Sequence, residues 1–311
     1  MRAWVVLGAL LLGGCAGKAV VPESLPDLPS WSVDRSMLPG GTLRVLPVAV
    51  THGPENTVVQ GGGNALLELP VYVYVFEHPT HGPVLIDAGF PRRTSVDVAD
   101  YPGKQMANLL GVEMEPGSAA VDRLGEIGRS PDDVEHIVIT HMHADHIGGV
   151  EDFPGATLHV GEGEWESAYE AGFLGKPDVS PFDGRTSVDH LSFGGTTPYG
   201  PFEGHRDLFG DGSVVVMPAG GHTPGHVAVL VNLAGGSYLI AGDCAWVDRH
   251  WVGPEPKGAL VRGSLEYDWR QNWGNQWRIH VFAKANPNVV VLAGHEPATG
   301  DRVPLWPTAI E

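Results

Sequence analysis

Thiols are almost missing from this chain: 311 residues contain two cysteines, Cys15 and Cys244, so no disulfide framework holds it together and its fold must rest on a hydrophobic core and on other cross-links. Positive charge is also scarce, with 19 Lys and Arg against 37 Asp and Glu and a formal charge of −18. Such a surface repels phosphate backbones and acidic lipid headgroups, which excludes nucleic acid as a partner or substrate. No apolar run is long enough to span a bilayer as a mature helix. Repeats of solenoid length and heptad runs are absent too. What the chain does have is 42% hydrophobic residues, 43 glycines, 26 prolines and 15 histidines, a turn-rich globular composition of a size that α/β folds often fill with one domain.

The first residues carry one charge at Arg2, then a short apolar run and small residues ending at Cys15. Residues 1–14 read as a secretory signal peptide. Leu12-Gly13-Gly14-Cys15 resembles the lipobox of bacterial lipoproteins. That resemblance implies cleavage before Cys15, a lipid on its sulfur and, with Ala16 next, anchoring in an outer membrane with the body facing the periplasm. Lipidation would leave Cys244 as the only free thiol. Residues 15–41, with Pro22, Pro26, Pro29 and Pro39 and no sustained period, read as a lipidated Pro-rich tether, and residues 42–311 as the globular domain.

The chemistry concentrates in Thr140-His141-Met142-His143-Ala144-Asp145-His146-Ile147-Gly148-Gly149, which follows the apolar run Ile137-Val138-Ile139. If His141 and His143 leave a strand end in extended conformation, the two-residue period puts both imidazoles on one side, where one metal takes both. Asp145 and His146 then come from the turn into a helix and suit a second cation. Imidazole and carboxylate donors favour zinc and are compatible with iron, manganese or cobalt. Other histidines (His52, His78, His81, His190, His205) read as surface residues.

Strands are expected at 42–50, 71–76, 84–86, 137–139, 157–160, 213–217, 227–231, 237–241 and 288–292. Val71 to Phe76 is apolar on both faces, the pattern of a strand inside a covered sheet. Asp87, ending one apolar strand beside Gly89, reads as a turn former that can also orient a ligand. Ser118 is placed to cap a helix with Val121, Leu124 and Ile127 on one face, stopped by Gly128. Trp165, Ala168 and Tyr169 mark a further helix stopping at Gly172, and Trp269, Trp273 and Trp277 a packed helix face. Residues 91–117 and 176–212 show no period and read as a flap and a long aromatic loop.

Four strand ends carry metal-type ligands: His141 to His146, His222 in Gly221-His222-Thr223-Pro224-Gly225-His226, Asp243 and His295. Ligands gathered at successive strand ends are the mark of a site in a layered α/β fold. This set resembles the metallo-β-lactamase superfamily, and Leu69-Pro70-Val71, Leu85-Ile86-Asp87-Ala88-Gly89 and the His222 loop are most similar to its N-acyl-homoserine lactonase branch. The resemblance implies an αββα sandwich, two mixed sheets flanked by helices. It implies that His141, His143 and His222 bind one metal, Asp145, His146 and His295 the other, with Asp243 bridging. Two divalent ions, zinc foremost, would present a bridging hydroxide to an ester or lactone, and Asp145 would pass its proton to the leaving group. The branch carries a Tyr three residues after the bridging Asp; here that position is Trp246, and Ala144 stands where an aromatic residue often lies. His226 is the candidate replacement donor.

The favoured function is therefore a dinuclear hydrolase of small-molecule esters or lactones. A phosphotriesterase-like hydrolase shares the ligand set, and a redox diiron centre is compatible with the ligand types. True β-lactamases lack a carboxylate at the Asp243 position. A metal-binding envelope lipoprotein without catalysis is the non-enzymatic alternative, and it would need no bridging carboxylate. Oligomeric state is not encoded in these patterns.

Overall fold

Residues 31–170 and 179–311 are described by the structure, a computed structural model. The expected signal peptide, Cys15 and the expected tether up to residue 30 lie outside the described residues, as does the expected helix stop at Gly172.

Among the described residues, eleven strands form two sheets. The first contains β1 (Thr42–Pro54), β2 (Leu66–His78), β3 (Gly82–Ile86), β4 (His136–Ile139), β5 (Thr157–Gly161) and β6 (Val188–Leu191), in that spatial order. It is antiparallel from β1 to β3 and parallel from β3 to β6. The second holds β7 (Arg206–Asp207), β8 (Val214–Pro218), β9 (Val227–Asn232), β10 (Ser237–Ile240) and β11 (Val289–Leu292), with only β10 and β11 parallel. Two mixed sheets flanked by helices make the expected αββα sandwich.

Strand periodicity assigns the layers. In β2 the side chains of Tyr72, Tyr74 and Phe76 point to one face and meet Val214, Val216, Val229 and Val231 of the second sheet. A short turn, α1 (Glu55–Val58), follows β1, and Val71, Val73 and Val75 point to the other face, under α2 (Lys104–Leu110), α3 (Ala120–Arg123), α4 (Ala144–Ile147) and α5 (Glu164–Glu170). Residues 71–76 of the strand are therefore apolar because both of their faces are covered. On the second sheet, Val215, Met217, Leu230 and Leu239 pack against Ile279 and Phe282 of the long helix Trp269–Ala285.

Several expectations need correction. Ser118 does not cap α3, because Ala119 holds the cap position and Ser118 Oγ donates to Val48 O at 2.6 Å and Glu115 O at 2.8 Å. Residues 91–117 are not a free flap: they contain α2, and Tyr101 is fully buried with its hydroxyl donating to Ala144 O at 3.4 Å. The region from 179 to 212 contributes β6 and β7, short edge strands that finish one sheet each. His78 is buried rather than superficial: its Nε2 donates to Asp211 Oδ2 at 2.8 Å, and its Nδ1 accepts from Thr80 N.

The long helix departs most from its sequence pattern. Among Trp269, Trp273 and Trp277 only Trp273 is buried, and the face turned inward is Asn272, Asn275, Gln276, Ile279 and Phe282. Buried amides need partners, and here these are loop carbonyls described below.

The tether boundary also moves. Trp31 packs edge-on against Phe282 and Tyr199, with ring centroids 5.1 and 5.9 Å away, and Arg35 Nη2 donates to Ser237 Oγ at 3.0 Å. Residues 31–41 thus belong to the domain. Trp31→Ala should lower the thermal unfolding temperature of the chain by about 2–4 °C, the size expected for losing about 1 kcal/mol of aromatic packing. An unchanged temperature would return the boundary to residue 42.

Candidate metal centre

Every expected ligand arrives at one end of the sandwich. His141 and His143 follow β4, Asp145 and His146 lie in α4, His222 lies between β8 and β9, Asp243 follows β10 and His295 follows β11. Two groups form, each with its donor atoms within 4.8 Å of one another: His141, His143, His222 and Asp243, then Asp145, His146 and His295.

In the first group, His143 Nδ1 lies 2.9 Å from His141 Nε2 and 3.0 Å from His222 Nε2. Three ring nitrogens converging at that spacing, inside a buried site, fit a single cation better than a chain of hydrogen bonds. Asp243 connects the groups. Its Oδ2 is 3.2 Å from His222 Nε2 and 3.7 Å from His141 Nε2, while Oδ1 is 3.0 Å from His295 Nε2 and 3.3 Å from His146 Nε2. Asp145 Oδ2 stands 3.6 Å from both His146 Nε2 and His295 Nε2. Buried His146 Nε2 and Asp243 Oδ1 have no hydrogen-bond partner. Orphaned donor-set atoms facing each other are what a missing cation would leave.

The far nitrogens of four ligands are fixed. His146 Nδ1 donates to Asp87 Oδ2 at 2.8 Å, His295 Nδ1 to Pro70 O at 2.9 Å and His222 Nδ1 to Glu266 Oε1 at 3.1 Å, while His141 Nδ1 lies 3.2 Å from Thr140 Oγ1. Each bond commits the ring's proton to the far side and turns Nε2 toward the site. Asp87 also accepts from Thr140 N at 2.7 Å, and its φ of 60° is the only positive value at a non-glycine among the described residues. The double role read from its sequence position, turn former and ligand orienter, is what it performs.

Charge divides the two groups. Burial holds His141 and His143 well below the usual histidine range. Burial also opposes a charge on His146, yet the carboxylates of Asp145, Asp87 and Asp243 override it and raise His146 well above that range. His295 moves up in the same way, chiefly through Asp243. Burial pushes Asp243 up, but His295, His146 and His141 bring it well below the usual carboxylate range.

His226 does not take the donor role expected of it. Its Nε2 accepts from Cys244 N at 3.2 Å behind the ligands, so this nitrogen has no proton to offer a substrate. Gly242, with φ 50°, lets the chain pass there, since a Cβ would lie 2.8 Å from that nitrogen. Ala144 is buried, and its carbonyl accepts from the Tyr101 hydroxyl. Trp246 is partly exposed, and its Nε1 donates to Asp243 Oδ2 at 2.6 Å, so it does not offer this donor to a substrate carbonyl.

Several supporting residues carried no sequence signal. Glu164, fully buried, accepts from Met142 N at 2.8 Å and Gly225 N at 2.9 Å and so ties the two histidine loops together; burial raises its carboxyl. On a helix, a glutamate ordinarily reads as solvent-facing. Lys257 and Glu266 form a buried pair behind His222. Asn272 and Gln276 donate to Cys244 O at 3.3 and 2.9 Å, and Asn275 to Gly220 O at 2.6 Å.

His250 fastens the loop after Asp243. Its Nδ1 accepts from Trp246 N and its Nε2 donates to Val58 O, both at 3.0 Å; burial, then the charge of Lys257, push it down to about 3. The folded chain thus keeps His250 neutral where the unfolded chain titrates near 6.5. Its contribution is complete above about pH 6.5 and is lost as pH falls toward 3. For His250→Phe, urea unfolding of metal-free protein should depend less steeply on pH between 6 and 4, by about 1.4 kcal/mol per unit. Equal slopes would mean that His250 is not held neutral.

Residues 66–295 match the family model described as "Metallo-beta-lactamase superfamily". The chain is 29% identical over 267 residues to an N-acyl homoserine lactonase, AttM, of Agrobacterium fabrum, covering 84% of this chain and 92% of that one. A probable metallo-hydrolase of Mycobacterium tuberculosis is 30% identical over 241 residues, covering 70% of this chain and 71% of its own length. Among solved structures, an N-acyl homoserine lactone hydrolase with N-hexanoyl-L-homoserine at its catalytic metal centre superposes with a TM-score of 0.71 at 21% identity, covering 87% of this chain and 99% of that one. AidC, a dizinc quorum-quenching lactonase, gives 0.55 at 13% identity over 92% and 93% of the two chains. At those identities the structural likeness concerns the fold alone. With a family model spanning most of its length and its ligand residues gathered at one end of an αββα sandwich, this chain belongs to the metallo-beta-lactamase superfamily.

Proposed function

We propose that the protein is a dinuclear, zinc-dependent hydrolase of neutral lactones or esters, exported and anchored to the outer membrane through a lipid on Cys15. One observation carries the chemical part: a single buried carboxylate, Asp243, turns one oxygen to each of two ligand groups. A site for one ion, or for storage, has no use for that arrangement. The curated relatives named as N-acyl homoserine lactonases support the lactone class. The sequence Leu12-Gly13-Gly14-Cys15 supports the anchor.

His141, His143 and His222 would hold one cation and Asp145, His146 and His295 the other. Bound there, two divalent cations supply Lewis acidity, polarising the substrate carbonyl and lowering the pKa of water toward neutrality. The chain's own residues do the rest. His143 and Asp145 are the ligands that are not fully buried, so the substrate approaches over them. The Asp145 carboxylate accepts the proton of the attacking water and returns it to the leaving alkoxide. As water adds to the carbonyl carbon and the ring C–O bond breaks, a lactone becomes a hydroxy acid with no other reactant. No serine or cysteine nucleophile is needed, and Cys244, whose thiol burial pushes up to about 12, is not one.

The test is a pH-indicator assay of zinc-loaded protein against lactones, aryl esters, a phosphotriester and a chromogenic cephalosporin, with metal content measured alongside. Lactone or ester turnover with two ions per chain is expected, and Asp243→Ala should lose at least about 100-fold in kcat. Fewer than two ions per chain, or an active Asp243→Ala, rejects the chemistry. Turnover of the phosphotriester alone moves the protein to that class. In cells, Cys15→Ser should release the chain from the membrane fraction.

A further inference from the structure

A carboxylate that must give one oxygen to each of two cations keeps one soft degree of freedom, rotation about its Cβ–Cγ bond. Turned by a quarter, it would direct both oxygens differently and the bridge would be lost. We propose that Trp246 and Lys257 are positioning residues that lock Asp243 in its bridging rotation, and that retention of the second metal ion depends on them. The proposal rests on the metal-dependent reading of the site.

Trp246 Nε1 donates to Asp243 Oδ2 at 2.6 Å. Fixing Oδ2 also fixes Oδ1, which faces His295 Nε2 and His146 Nε2 with no donor of its own. The indole ring stands between the two ligand groups, its centroid 6.1 Å from that of His222 and 6.3 Å from that of His295. Two further contacts place the ring. Its backbone N–H donates to His250, and its apolar part packs with Val58, Val59, Leu69 and Val247.

Lys257 reinforces the same carboxylate twice. Its ammonium, 1% exposed, lies 4.4 Å from the indole centroid. A cation over the face draws electron density from the ring, which makes the N–H a stronger donor. The ammonium also donates to Asp243 O at 2.5 Å, which holds the backbone of the residue whose side chain the indole holds. Its charge is matched by Glu266 Oε1 at 2.6 Å, and that carboxylate is the acceptor of His222 Nδ1. One buried cation therefore braces Asp243 at the backbone and, through Trp246, at the carboxylate. Neither residue offers a free polar group to a substrate.

Trp246→Phe keeps an aromatic ring in the apolar contacts and deletes the N–H; Lys257→Met keeps the chain and deletes the charge. Zinc titration of the full chain against a chromophoric chelator, and the visible spectrum of the cobalt-loaded chain, read the site without any substrate. Wild type should bind two ions. Trp246→Phe should retain the first with unchanged affinity and bind the second about tenfold more weakly, the weight of one hydrogen bond to a charged group. Its cobalt spectrum should change in the bands of the second ion, and kcat should fall with KM unchanged. Lys257→Met should move in the same direction. Two ions bound to Trp246→Phe with wild-type affinities and an unaltered cobalt spectrum overturn the proposal and leave the proposed function standing. A wild-type chain that binds no ion pair overturns instead the reading on which it rests.

Discussion

Keeping an ionised carboxylate in a dry interior costs several kcal/mol unless charges and donors are aimed at it, and Asp243 is 4% exposed. Each half of the site bears on that cost. His222 and Trp246 face one carboxylate oxygen, His146 and His295 the other. Burial opposes a charge on His146 and His295, and the carboxylates around them raise both, Asp145, Asp87 and Asp243 acting on His146 and chiefly Asp243 on His295. In the first group, by contrast, burial holds His141 and His143 well below the usual histidine range.

The same constraint explains why so many polar side chains are buried in a molecule whose layers are otherwise filled with valine, isoleucine and leucine. A ligand on a loop is useful only if the loop is fixed, and a loop at the end of a sheet has unpaired backbone groups. Asp87 takes those before His141, Glu164 those beside His143 and His226, and the amides of the long helix take the carbonyls flanking His222 and Asp243. Gly221, with φ 126°, comes so close to that helix that a Cβ would lie 2.3 Å from Asn272 N. Helix and loop are thus one unit, which accounts for the polar inward face of Asn272, Asn275 and Gln276.

How much of this could be read in advance depended on whether a residue acts through a short-range pattern. Strands covered on both faces announce themselves, as Val71 to Phe76 does, and metal ligands at strand ends announce the fold's open edge. The turn at Asp87 was legible for the same reason. The tryptophan period misled, because it records spacing on a helix and not the chemistry of what the helix meets; the loops it meets present carbonyls, so amides face inward. Glu164 and His250 were invisible because partners of each lie far away in sequence: 22 residues separate Met142 from Glu164, and 192 separate Val58 from His250. Lys257 and Glu266 stand nine residues apart, but what they brace, Asp243 and His222, lies 14 and 44 residues away. His226 shows the opposite failure, a buried histidine in a ligand-rich loop whose Nε2 accepts from a backbone amide behind the ligands.

The commitment of Trp246 to Asp243 narrows what the proposed chemistry can ask of the protein. With that indole N–H occupied and His226 Nε2 taken by Cys244 N, stabilisation of negative charge on a substrate carbonyl would fall to cations held by the ligand groups, reached from the more open side at His143 and Asp145. That division suits a neutral electrophile. It also suits the charge of the whole chain. A lactone enters a field of formal charge −18 without repulsion, whereas its hydrolysis product carries a carboxylate. A field indifferent to a neutral reactant repels a carboxylate product and so favours its release.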